Sequence, residues 1–220
     1  MYRILYLFVF IFLSLTCYSQ VDDFTISQTN LNRANTFYNN ALNFGINGKY
    51  EEAITAYTQA ISLNPYNLDY YKNRALIKKE QQDFNGALSD LNMAQALDST
   101  LSEIYYLKGN IFQDQEELEK ASEMYTMAIY CYNRGDHSLN PFSFFFNRAN
   151  TYLKRKLLKK ALQDYNIALR LHPKHYPSYC NRGVVRYQLQ DKQGALADWE
   201  IASQGGIQQA KTYIEMHKEK

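Results

Sequence analysis

Three sets of small residues recurring at a fixed interval limit what this chain can fold into. The first set is Ala41, Ala75, Gly109, Ala149 and Gly183. The second is Ala53, Ala87, Ala121, Ala161 and Ala195, and the third Ala60, Ala94, Ala128, Ala168 and Ala202. The step is 34 residues, except for one step of 40 between the third and fourth members of each set. Bulky residues fill the phases between: Phe37, Tyr71, Tyr105, Phe145 and Tyr179, then Tyr57, Leu91, Tyr125, Tyr165 and Trp199. Two helices cross closely only where side chains are small, so three small phases per period describe one helical hairpin, here repeated five times. The aromatics at i, i+3, i+4 spacing then read as the buried stripe beside each crossing and not as a cofactor box. No single copy can bury its apolar face alone, so the copies must stack into an all-α array.

The order of a bulky residue, Gly or Ala, an aromatic, Ala, an aromatic, Ala and Pro resembles the tetratricopeptide repeat, with Pro65 and Pro173 closing two copies. The resemblance covers Ala34 to Gln209, as copies at 34–67, 68–101, 102–135, 142–175 and 176–209, with a six-residue insertion, DHSLNP, at 136–141. It implies a right-handed α-solenoid of five hairpins. It also implies a non-catalytic protein–protein interaction module whose partner is a peptide or protein held on the concave face. In that family the second, fifth, sixth and ninth positions of each copy point into the groove. Carried over, these are Asn35, Tyr38, Asn39, Lys72, Asn73, Tyr106, Asn110, Phe146, Asn147, Asn150, Cys180 and Asn181.

Residues 1–19 carry one charge, Arg3, followed by an almost unbroken apolar run from Ile4 to Leu15. That run suits a secretory signal better than a bilayer span. Cleavage after Ser19 would place Cys17 and Ser19 at the small-residue positions and leave Gln20 at the mature end. The competing reading acylates Cys17 as in bacterial lipoproteins, although Thr16 and Ser14 stand where those usually have a small and a branched apolar residue. A third reading keeps the run as an uncleaved anchor; all three place the folded part outside the cytoplasm, in the periplasm or secreted, with no membrane insertion once a cleaved signal is removed. The polar stretch 20–33 reads as a linker. Beyond Gly205-Gly206, residues 207–217 read as a capping helix with Ile207, Ala210, Ile214 and His217 inward. Its outward side is Gln208, Lys211, Thr212, Glu215 and Lys218. Copy two ends in Asp98-Ser99-Thr100 where others have Pro, and these residues read as N-caps for the helix that follows.

Little in the chain suggests catalysis. With 24 basic and 22 acidic residues the chain has no basic excess of the kind a nucleic-acid partner requires. Cys131 and Cys180 fall two helices apart, beyond disulfide reach, and read as free thiols. His172 and His175 flank Pro173 at a turn, without the acidic or Cys neighbours of a metal site. There is no phosphate loop, nucleophile elbow or Ser-His-Asp order, so the expected class is not an enzyme, with no cofactor and no metal.

Two further patterns carry expectations. Arg74, Arg148 and Arg182 share one phase of the first helices, and Asp90, Asp164 and Asp198 share one phase of the second. Where the Arg is absent so is the Asp: copy one has Asn40 with Ala56, and copy three Lys108 with Met124. This joint presence predicts ion pairs inside three hairpins. Asn39, Asn73, Asn147 and Asn181 recur at the sixth position, with Leu107 in the third copy. Their amides match the C=O and N–H of an extended peptide, although duplication alone would also explain the recurrence. The carboxylate clamp of tetratricopeptide co-chaperones is not expected, because no register of three copies supplies its closing cations.

Overall fold

The computed structural model describes residues 28–137 and 139–217. The leader at 1–19 with Cys17, linker residues 20–27, Ser138 of the insertion and Lys218 lie outside the described residues. Eleven helices are present and no strand is found among the described residues. They are α1 (28–46), α2 (Tyr50–Leu63), α3 (Leu68–Glu80), α4 (Phe84–Leu97), α5 (Ser102–Asp114) and α6 (Leu118–Asn133). Then come α7 (Phe142–Lys154), α8 (Leu158–Leu171), α9 (Tyr176–Gln188), α10 (Lys192–Gln204) and α11 (Gln208–His217). The fold class is an all-α solenoid type, built of paired helices. Helix α1 already includes residues 28–33, so the end of the stretch read as linker is helical.

The chain divides into two compact units, one ending at Leu97 and one beginning at Asp98. In the first, hairpins α1/α2 and α3/α4 are joined by packing of α2 on α3. In the second, α6 packs on α7, α8 on α9, and α11 on α10. All fifteen recurrent Ala and Gly residues are buried. The second bulky phase is equally buried: Tyr57, Leu91, Tyr125, Tyr165 and Trp199 are at most 2% exposed. The first bulky phase is different. Phe37, Phe145 and Tyr179 are half-buried, and the deeper positions are one residue earlier, at Tyr70, Ile104, Phe144 and Ser178. In three copies an Arg three residues on lies over the ring: Arg74 over Tyr71, Arg148 over Phe145 and Arg182 over Tyr179, at 5.2–5.9 Å from the centroid.

Glycine is required where an aromatic comes closest. A Cβ at Gly183 would sit 2.4 Å from Trp199 Nε1, and one at Gly109 2.6 Å from Tyr125 Cε1. The turn inside each hairpin has one left-handed residue at a constant phase: Gly48, Gln82, Glu116, Lys156 and Gln190, with φ between 59° and 71°. Only the first is glycine, so four hairpins hold a strained side chain costing about 1–2 kcal/mol each. Neighbouring packing fixes the geometry whichever residue occupies it. The same three-residue turn, with Gly206 at φ 88°, folds α11 onto α10. Ala210, Tyr213 and Ile214 of α11 close the apolar cluster around Trp199, and the His217 ring stacks on Trp199 at 5.6 Å.

The cap of α5 differs from the sequence expectation. Asp98 Oδ1 accepts from Thr100 N at 2.8 Å and Thr100 Oγ1 at 2.7 Å, forming a local turn and not a helix cap. The N-cap is Leu101, which offers no side-chain acceptor. The carboxylate of Asp136, the first residue of the insertion, accepts from Ser102 N in its place. A negative group at a helix N-terminus is favourable both as acceptor and against the macrodipole. Helix α6 also runs on to Asn133, two residues beyond the corresponding point of the regular copies, so part of the extra length extends the helix.

The three expected ion pairs are present and bidentate. Arg74 Nε and Nη2 lie 2.9 and 2.6 Å from Asp90, Arg148 Nε and Nη2 2.7 and 2.9 Å from Asp164, and Arg182 Nε and Nη2 2.8 and 2.7 Å from Asp198. Each guanidinium then donates Nη1 to the second helix of the preceding hairpin: Thr58 at 2.8 Å, Thr126 at 3.0 Å and Asn166 at 2.8 Å. One side chain thus ties three helices. Burial alone would lower the pKa of Arg148, but the hydrogen bonds and charge of Asp164 outweigh it and raise it. Asp164 is 5% exposed, so removing its carboxylate strands a buried cation. Asp164→Ala should therefore cost about 3 kcal/mol by urea unfolding. Arg148→Met/Asp164→Leu should recover most of that loss, whereas additive losses would show that the pair is solvated.

Candidate functional site

The residues projected onto the first-helix face fall into two groups, one in each unit. In the first unit Asn73 Nδ2 donates to Tyr38 Oη at 3.0 Å, and Tyr70 Oη donates to Asn35 Oδ1 at 2.8 Å. The Tyr38 and Tyr70 rings are 5.0 Å apart. Lys72 pairs with Asp69 at 2.8 Å, and Asn39 is exposed. In the second unit the amides are joined in pairs. Asn147 Nδ2 donates to Asn110 Oδ1 at 3.1 Å and to Tyr106 Oη at 3.3 Å. Asn181 Nδ2 donates to Asn150 Oδ1 at 3.0 Å. Phe146, next to Asn147 on α7, is half-buried against Phe142, His175 and Tyr165. Cys180 does not belong to the open face: it is 3% exposed inside the cluster closed by α10 and α11, and burial pushes its thiol pKa up.

A buried phenol accounts for each amide pair. Tyr125 and Tyr165 are fully buried, and burial raises both hydroxyl pKa values far enough to keep them protonated donors. Tyr125 Oη donates to Asn110 Oδ1 at 2.8 Å and Tyr165 Oη to Asn150 Oδ1 at 2.5 Å. Asn at the ninth position therefore satisfies a Tyr of its own hairpin and receives the sixth-position Asn of the next. This gives Asn147 and Asn181 a structural role that sixth-position recurrence alone did not reveal. The sequence signal was the coincidence of Asn110 with Tyr125 and of Asn150 with Tyr165, fifteen residues apart in both copies.

A cavity of about 560 Å³ is lined by Ser99, Thr100, Leu101, Tyr130, Cys131, Arg134, Gly135 and Asp136. Burial first, then Asp136 and Asp98, raise the Cys131 pKa, the reverse of what a thiolate nucleophile needs. Cys131 and Cys180 are both free. Among the described residues no group of three His, Cys, Asp or Glu could hold a metal ion, and no helix is long and apolar enough to cross a membrane.

The turn between α8 and α9 brings together two histidines that the sequence reading set apart across Pro173. The His172 and His175 rings are 5.9 Å apart, and His175 packs edge-on to Phe142 at 4.6 Å and Phe146 at 4.8 Å. Its Nδ1 accepts from Ser178 N at 3.3 Å, capping α9, and lies 2.8 Å from Ser178 Oγ. Burial, then the neighbouring His172, lower the His175 pKa.

Two outcomes follow from these contacts. Asn150→Leu strands the Tyr165 hydroxyl and should cost about 1–3 kcal/mol in denaturant unfolding. Adding Tyr165→Phe should restore most of it, and a failure to restore would place the loss elsewhere. For His175, the unfolded chain binds its proton near pH 6.5, above the folded value. The stabilisation is complete above about pH 6.5, falls as pH drops below it, and levels off once the folded pKa is passed. His175→Asn keeps a cap acceptor and should flatten that part of the profile between about pH 5 and 7. Parallel profiles for variant and wild type would remove His175 as its source.

Two family models match the chain, one described as TPR repeat over residues 46–82 and one as tetratricopeptide repeat over residues 102–135. Among curated relatives, human Tetratricopeptide repeat protein 6 is 27% identical over 150 residues, covering 66% of this chain and 27% of that protein. Human Protein O-mannosyl-transferase TMTC1 is 25% identical over 157 residues, covering 71% of this chain and 18% of that one. The chain thus spans 27% and 18% of the length of these two relatives. Among solved structures, Pseudomonas aeruginosa pilF superposes with a TM-score of 0.69 at 18% identity, covering 82% of this chain and 79% of that one. YrrB, described as a TPR protein with an unusual peptide-binding site, superposes with a TM-score of 0.68 at 15% identity, covering 82% and 90%. Tetratricopeptide repeats are therefore matched in both units, over residues 46–82 and 102–135, and the helical hairpins share the fold of solved tetratricopeptide-repeat proteins.

Proposed function

We propose that the chain is a non-catalytic scaffold of the bacterial cell envelope that holds an extended peptide or protein segment against its first helices. The observation that carries this reading is the face of the second unit. There Asn110, Asn147, Asn150 and Asn181 alternate with the half-buried rings of Tyr106 and Phe146 on α5, α7 and α9. Such a surface offers amide hydrogen bonds and flat apolar contact with little charge, which suits a polypeptide more than a compact substrate. The raised thiol pKa of Cys131 and the all-structural use of the Arg–Asp pairs support a binding role without chemistry. Export rests on Arg3 followed by Ile4–Leu15, a charged start and a short apolar run.

Placing a photo-crosslinking amino acid at Phe146 should capture a partner in intact cells. The same group at the exposed Lys160 of α8 should not. Equal capture at both sites, or capture at Lys160 alone, would move the partner off this face. Mass spectrometry of the mature N-terminus is expected to find Gln20 as the first residue. A diacylated Cys17 would make the protein a membrane-anchored lipoprotein, and an intact Met1 would overturn cleavage of the leader.

A further inference from the structure

Hairpin α1/α2 departs from the others at the place where three of them hold an ion pair. In hairpins two, four and five an Arg meets an Asp beside the first bulky ring and reaches on to the second helix of the hairpin before it. At the same phases the first hairpin has Asn40 and Ala56, and among the described residues no element precedes α1. One turn further on, hairpins two and five set Lys78 and Arg186 on the same carboxylate at 2.8 and 3.0 Å, where the first hairpin has Phe44. What is left there is a trough of about 400 Å³, lined by Phe37, Asn40 and Phe44 of α1 and by Thr55 and Ala56 of α2 among others. Phe37 and Phe44 are half-buried, and Phe44 packs on the cluster of Ala41, Ala53, Ala56 and Tyr57. A repeat array is ordinarily closed at its ends by polar faces, and this face carries two aromatic rings.

We infer that residues 20–27 fold back along α1 and fill this trough, with Phe24 set against Phe37 and Val21 against Phe44. The segment runs directly into α1 at residue 28, on the helix that carries the trough. Phe37 and Phe44 stand nine and sixteen residues beyond residue 28. At a rise of about 1.5 Å per residue they lie about 13.5 and 24 Å along the helix. Phe24 and Val21 stand four and seven residues ahead of residue 28. At about 3.1 Å per residue in a polyproline II course and about 3.6 Å at full extension, they reach about 12–14 Å and about 22–25 Å. Each range brackets the position of the intended partner, so the segment is long enough to cover the trough from end to end, with no length to spare. A three-residue turn also brings Val21 and Phe24 to one side of the segment and leaves Asp22 and Asp23 between them for solvent. Burial of two apolar side chains against two half-covered rings drives the docking. The segment then covers the first hairpin where an Arg and a preceding helix cover others. Residues 20–27 stay on the protein whether the leader is cut after Ser19, acylated at Cys17 or kept, so export is not required for it.

The test places photoreactive benzoylphenylalanine at Phe24 in the full chain and maps the cross-links of the purified protein by tandem mass spectrometry. Cross-links are expected within one chain, to Phe37, to Phe44 or to the α2 stretch 51–59. Asn40→Arg/Ala56→Asp brings into the first hairpin the pair that fills this place in hairpins two, four and five. It should lower the cross-link yield several-fold while circular dichroism shows unchanged helix content. Phe44→Lys, which matches Lys78 of hairpin two, should lower the yield likewise and serves where the double variant does not fold. Cross-links to α3 would place the segment on the first-helix face, and cross-links confined to the first turn of α1 would make it a continuation of that helix. Cross-links between two chains at the trough would give the face to a second copy. Any of these three results, an absence of cross-links, or an undiminished yield in the folded variants would overturn the inference.

Discussion

Every contact in this protein depends on how closely two helices can approach. Fifteen recurrent Ala and Gly residues, all buried, make the approach possible. The gaps beside each crossing are then filled by a single large side chain per hairpin, from Tyr57 to Trp199. Where that side chain comes nearest, even a methyl group is too large, and the opposing residue is Gly109 or Gly183. Dense packing of this kind leaves little freedom for the backbone, so the hairpin turn imposes a left-handed residue on Gln82, Glu116, Lys156 and Gln190 although none is glycine.

Close packing also decides what happens to the polar groups caught inside. A buried donor or charge without a partner costs more than the partnered one contributes, and the buried tyrosine hydroxyls Tyr125 and Tyr165 and the three Arg–Asp pairs are each met by a second polar group. Two devices recur. The Arg–Asp pairs use the fork of the guanidinium to bind one carboxylate twice and still reach a hydroxyl or amide on the preceding hairpin. The Asn pairs take up a buried tyrosine hydroxyl and then receive the next hairpin's amide. Both link one hairpin to the one before it, supplying directional contacts that Ala–Ala crossings lack.

The departures from regularity have similar causes. Copy two lacks a proline exit, and the N-cap of α5, Leu101, has no side-chain acceptor. The first residue of the insertion, Asp136, makes good that deficit from the other end of the same hairpin. Helix α11 folds back on α10 through the tight turn used inside hairpins, and its apolar side packs on the cluster around Trp199.

The period, the helical hairpins and the buried small phases were legible in the sequence, because they repeat and because Ala or Gly at a fixed spacing has one physical use. The Arg–Asp pairs were legible for a related reason: two residue types rose and fell together across copies. The projected face was legible only as positions, and the structure alone decided how its amides are used. Asn110 and Asn150 each join a tyrosine fifteen residues later to an Asn of the following copy. The fifteen-residue spacing pairs each Asn with a tyrosine, but which way the amide is turned is set only by the fold. Cys180 stood at a groove position by register yet lies buried, since the helices that close over it come later in the chain. The cap on α5 crosses 34 residues and comes from a segment with no counterpart in the other copies. Periodicity therefore determined which elements form and which faces meet. The pairing of individual polar groups was decided only in three dimensions, where burial makes an unpaired donor costly and the nearest acceptor is set by the fold.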